Sequence, residues 1–148
     1  MIIYAPWTFE DPPQDYGNGV ETGLQVTQDS GMDIAVSAGT AKISGDFSSD
    51  SSATLTVSAN VSGVTRYDLV VARVEIGTTN AELAIKTGNL NPQQNNTIWE
   101  LPLAMIAVTN GAVSITNANI TDLRIFYGDL SEKLLVDVTN STDYTIQA

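Results

Sequence analysis

The sequence predicts an all-β chain: a single antiparallel β-sandwich or jelly-roll-like domain carrying an extended N-terminal arm. Three observations lead there. Apolar runs are short and are separated by turn residues at hairpin spacing. Several of them alternate with period two, as where Met32, Ile34 and Val36 interleave with Asp33, Ala35 and Ser37. Hydrophobic residues reach 43% and charged ones only 16%, and Thr, Ser, Asn and Gly fill much of the rest, a composition that favours strands and tight turns.

Residues 1–23 form the predicted arm. Tyr4, Trp7, Phe9 and Tyr16 are interleaved with Pro6, Pro12, Pro13, Gly17 and Gly19, a pattern that suits neither a helix nor a long strand. These aromatics are the candidate partner contacts, because exposed aromatic clusters mark contact surfaces. The core is predicted over 24–127, with strands at 24–27, 32–37 and 40–44. In this reading Ala38-Gly39 makes a hairpin of the stretch 32–45. Residues 46–52 read as a polar loop and 54–58 as a strand. Two strongly apolar strands follow, 65–76 and 99–109, with 82–86 as the antiparallel partner of the first. Pro102 lacks an N–H to donate and belongs at an edge or a bulge. Asn110-Gly111 is the strongest short hairpin signal. Residues 128–148 are expected to be a C-terminal strand and tail segment, with strands at 133–138 and 144–147.

Charge and missing residue types exclude many functions. The net charge is −11 with six Lys and Arg, too few and too scattered to track phosphates or an anionic membrane. The chain has neither cysteine nor histidine. It therefore lacks disulfides, a thiolate nucleophile, the commonest general base and the commonest transition-metal ligand. No catalytic constellation, cofactor fingerprint or metal-ligand spacing stands out, so neither enzyme activity nor a cofactor is expected. Asp46 and Asp50 with nearby serines read as a solvated turn rather than a calcium loop. Asn60-Val61-Ser62 and three similar matches to the glycosylation pattern read as chance in a chain rich in these residues. The N-terminus has no basic region followed by an apolar core, so no signal peptide is expected.

The stretch Thr65–Ile76, TRYDLVVARVEI, holds two of the three arginines. Residues two apart on a strand share a face, so Arg66 and Asp68 lie together, as do Arg73 and Glu75. The spacing recurs inverted in Asp122-Leu123-Arg124. Arg66, Asp68, Asp122 and Arg124 are therefore expected to form a structural charge network at the rim of the core, in an offset arrangement that avoids opposing like charges.

The order of MDIAVSAGTAKISG, TRYDLVVARVEI, ELAIKTG, ELPLAMIAVTNGAVSI and ITDLR resembles the core of tailed-bacteriophage structural proteins: baseplate, minor tail and fibre-anchoring proteins. The match covers about residues 30–125 and falls on Gly39, Gly45, Arg66, Asp68, Arg73, Gly88, Leu103, Ala104, Val108, Ile120, Asp122 and Arg124. The resemblance implies a non-enzymatic virion protein made in the host cytoplasm, which assembles as a homo-oligomer, a trimer foremost, with other virion proteins. The role expected is a baseplate or tail adaptor or a fibre-anchoring subunit, with a capsid decoration or head-fibre anchor as the alternative. A carbohydrate-binding module is the alternative of another class, and would need a row of exposed aromatics.

Overall fold

The computed structural model describes residues 18–127, and the arm aromatics Tyr4, Trp7, Phe9 and Tyr16 and the segment 128–148 lie outside them. The described chain is all-β, as predicted. Its ten strands are β1 (Gly19–Gly23), β2 (Val26–Gln28), β3 (Asp33–Val36), β4 (Gly39–Lys42), β5 (Asp46–Ser49), β6 (Ala53–Thr56), β7 (Arg66–Glu75), β8 (Ala81–Lys86), β9 (Ile98–Val108) and β10 (Ile120–Asp122). They form three antiparallel sheets, ordered β1-β4-β5, β2-β3-β6 and β10-β9-β7-β8. One apolar cluster joins all three: Val20, Ala41 and Phe47 from the first, Ile34 and Val36 from the second, and Val70, Ala72, Leu101 and Ile106 from the third. Burial of this shared cluster is the main source of stability.

The long strands β7 and β9 lie close to the predicted runs. In β7, Val70 and Ala72 face the common core, while Leu69 and Val71 are buried on the opposite face, so the strand is covered on both sides. Trp99 packs at the edge of the core cluster. The register of β7 with β9 slips between Val70↔Ala104 and Val71↔Pro102, leaving Leu103 as the extra residue of a bulge. Pro102 thus sits beside a bulge, where a missing N–H costs least.

Four expectations are corrected. The stretch 32–45 is not a hairpin: β3 pairs with β2 and β6, whereas β4 pairs with β1 and β5. Ala38-Gly39 is instead a corner at which the chain changes sheets, and Gly23-Leu24 is a second corner beside it. The two backbones approach so closely there that a Cβ on Gly23 would lie 1.9 Å from the Ala38 carbonyl oxygen, and one on Gly39 would lie 2.2 Å from that of Thr22. Glycine is demanded at both corners by this contact. Residues 46–49 are a strand rather than a loop, because Phe47 turns into the core while the polar residues on either side face outward.

Asn110-Gly111 turns the chain without making a two-stranded hairpin. The segment after it is irregular, and β9 is rejoined only by β10, through Ile120↔Ile106 to Asp122↔Ala104. Residues 19–23, assigned to the arm from sequence, are a paired strand of the domain, with Val20 fully buried. The end of the described chain returns beside it: Val20 N–H donates to the Ile125 carbonyl at 2.8 Å, and Val20 and Phe126 form a parallel bridge.

Candidate functional site

The chemistry-bearing side chains of the described residues gather around β7. At its start, Asp68 is wholly buried on the core-facing side. It accepts hydrogen bonds from Arg66 Nε and Nη2, each at 2.8 Å, and from the Gly88 N–H at 2.8 Å. Arg66 also donates to the carbonyls of Ala59 (2.9 Å) and Ser58 (2.8 Å). The hydrogen bond to Asp68 raises the Arg66 pKa above its ordinary value, against a smaller opposing effect of burial. Two side chains thus tie together the loop before β7, the start of β7 and the turn after β8. This is a bidentate ion pair around a buried carboxylate, with four of the five guanidinium N–H donors directed at protein.

The second predicted couple is a separate clamp. Arg124 Nη2 meets Asp122 Oδ2 at 2.8 Å, and Arg124 Nη1 donates to the Gly23 carbonyl at 2.8 Å, holding the β1 corner. The Arg124 guanidinium also lies 5.0 Å from the centre of the Phe126 ring. Its hydrogen bond to Asp122 holds that carboxyl below the ordinary range. Among the described residues no ion pair joins the two couples, because β9 lies between β7 and β10. The expected four-residue network is therefore two independent pairs.

A third cluster was not anticipated. Arg73 does not pair with Glu75 but lies between Glu82 (3.5 Å) and Glu100 (3.4 Å). Glu100 is 2% exposed. It accepts hydrogen bonds from Lys86 Nζ at 2.7 Å and from the Gln93 N–H at 2.6 Å. Lys86 also donates to the Asn91 carbonyl, and Gln94 donates to the carbonyl of Glu100, so segment 91–94 is fastened over this face of the sheet. Burial pushes the Glu100 carboxyl upward, but the bonds from Lys86 and Gln93 and the charges of Lys86 and Arg73 outweigh it and hold the pKa below its ordinary value. Beside the cluster lies an open cavity of about 400 Å³, lined by Arg73, Glu75, Asn80, Ala81, Glu82 and Ile98. Two of these lining groups are carboxylates, which makes the cavity unsuited to an anion.

Other polar residues are also committed to the fold. Asn60 is buried and donates to the carbonyls of Val64 and Val108, so its side chain is closed to modification. Asp46 pairs with Lys42, and Asp50 accepts from Ser48. Among the described residues no group of His, Cys, Asp or Glu is arranged to hold a metal ion. Comparison with protein-family models, curated proteins and solved structures finds no match to this chain.

Proposed function

We propose that this chain is a non-enzymatic structural protein of a tailed phage: a baseplate or tail adaptor, or a fibre-anchoring subunit, acting through protein–protein assembly. One observation carries the reading. The residues that bear the resemblance to phage structural proteins do architectural work, since Arg66, Asp68 and Gly88 form one backbone clamp and Asp122 and Arg124 another. In a binding module the same arginines would be free to meet a ligand.

A second feature fits the reading. The first and last described stretches lie against each other, with Val20 beside Phe126 in a parallel bridge. The arm aromatics Tyr4, Trp7, Phe9 and Tyr16 and the segment after 127 are assigned the contacts with other virion proteins.

Deletion of residues 2–17 tests the assignment. The core transition in thermal unfolding should persist, and incorporation into phage particles, measured by mass spectrometry of purified virions, should be lost. Undiminished incorporation of the truncated protein would refute the role of the arm. Absence of the full-length protein from virions would refute the proposal itself.

A further inference from the structure

We infer that β8 is a self-complementary docking edge, which takes β8 of a second copy of this chain in antiparallel pairing centred on Ala84. The inference does not rest on the phage assignment. It begins with hydrogen-bond parity. Glu75 N–H donates to the Asn80 carbonyl at 3.0 Å, whereas Ile76 N–H donates to that of Thr97 at 2.8 Å. Odd-numbered residues of β7 therefore direct their peptide groups toward β8, and even-numbered ones toward β9. Their β8 partners in the register, Lys86, Ala84 and Glu82, use their backbone groups on β7. Ala81, Leu83 and Ile85 direct theirs away from the sheet.

β8 is the last strand of its sheet and, at six residues, the longest strand at any sheet margin among the described residues. β6 packs close to it on the core side but pairs only with β3. The edge carries no proline or bulge, two of the devices that normally protect an open edge.

The sequence of this edge selects its occupant. Two identical antiparallel strands sharing an edge must pair residues of like parity, so the two-fold axis passes through a residue. Centring on Ala84 sets Glu82 opposite Lys86 of the second copy and Lys86 opposite its Glu82. Leu83 then faces Ile85 across the axis, and that pair exchanges the free backbone bonds. Centring on Leu83 would set Glu82 opposite Ala84, and centring on Ile85 would set Lys86 opposite Ala84, so neither matches opposite charges. Leu83 and Ile85 pack against the main apolar cluster, so the joint would continue the core from one copy into the next. The opposite face would continue the row Glu100, Lys86, Arg73 and Glu82. In a chain of net charge −11, this matched edge lets copies approach without opposing like charges.

The test is sedimentation of the full chain from about 10 μM to about 1 mM, the range expected for a small interface, with amide hydrogen exchange measured across the same range. Exchange at Leu83 and Ile85 should slow as concentration rises, while the amides of Glu82, Ala84 and Lys86 stay slow throughout. Glu82→Lys, which sets like charges opposite each other twice per dimer, should raise the dimer Kd at least about tenfold. Exchange at Leu83 and Ile85 that is independent of concentration would overturn the inference, whether the protein is monomeric or associates elsewhere. A dimer unaffected by Glu82→Lys would overturn the register.

Discussion

Arg66→Ala and Arg124→Ala remove arginines that look equivalent in the sequence, each two residues from an aspartate, and the structure makes their costs unequal. Without Arg66, Asp68, 0% exposed in the folded protein, keeps only the Gly88 N–H as a hydrogen-bond partner. Removing one partner of a buried ion pair costs about 3–5 kcal/mol, because the other charge is left uncompensated. Without Arg124, Asp122 is 52% exposed and water replaces the guanidinium. An exposed pair contributes roughly 0–1 kcal/mol, and loss of the bond to the Gly23 carbonyl adds about 1 more.

Urea unfolding, followed by circular dichroism and by fluorescence of the buried Trp99, should therefore separate the variants by about 1–4 kcal/mol, with Arg66→Ala the weaker. At about 2–4 °C per kcal/mol for a domain of this size, Arg66→Ala should melt at least about 6 °C below the parent. The reverse truncation, Asp68→Ala, should cost less than Arg66→Ala, because the Arg66 guanidinium is 17% exposed and keeps two carbonyl partners. Equal costs for the two arginines would refute the claim that burial of the acid, rather than the motif, sets the energy.

Further predictions concern acid, packing and the third cluster. The folded-state pKa values of Glu100 and Asp122 are depressed, so both groups contribute stability that is present above the ordinary carboxylate range and lost as pH falls through their folded values. Unfolding free energy should therefore fall below about pH 4.5, and Glu100→Gln should flatten that slope in urea titrations at several pH values. At pH 7 the same variant should lose about 1–3 kcal/mol, read from the urea midpoint, since Lys86 and Arg73 then face a neutral group. Gly39→Ala should cost more than Gly111→Ala. The added methyl meets backbone at 2.2 Å in the first case and nothing within 4 Å in the second, where only the φ of 76° opposes a side chain. About 1–2 kcal/mol is expected at Gly111 and more at Gly39, and calorimetry that ranked them the other way would refute the corner geometry.

The parts of the fold legible in the sequence were those decided by local pattern. The strands β7 and β9 are nearly continuous apolar runs because they are buried on both faces, and β8 follows β7 across a short turn. The couples Arg66/Asp68 and Asp122/Arg124 were legible for the same reason, since residues two apart on a strand share a face, although Arg73 and Glu75 share one without pairing. Relations between strands distant in sequence were not. Nothing local distinguishes the corner at Ala38-Gly39 from a hairpin turn, because its cause is the backbone of Thr22 and Gly23. β5 reads as a loop by composition, and only Phe47 betrays its inward face. The Glu100 cluster left one signal: a lone acid between Trp99 and Leu101 in an apolar strand. A charge placed there requires a cation, and β7 and β8 supply two.

The same economy explains how so acidic a chain uses so few cations. Lys42, Arg66, Arg73, Lys86 and Arg124 are the cations of the described residues, and each lies within 4 Å of a carboxylate of its own chain. Three of those carboxylates, Asp46, Glu82 and Asp122, are exposed, whereas Asp68 and Glu100 are buried and draw three of the five cations, Arg66, Arg73 and Lys86. Positive charge thus goes first to acids that could not otherwise be buried. Glu21, Asp29, Asp33, Asp50 and Glu75 have no ion-pair partner among the described residues and give the surface its sign. A partner docking on that surface must bring its own cations or avoid the acids. The β8 edge is where a second copy can do so, because there Glu82 and Lys86 meet their complements.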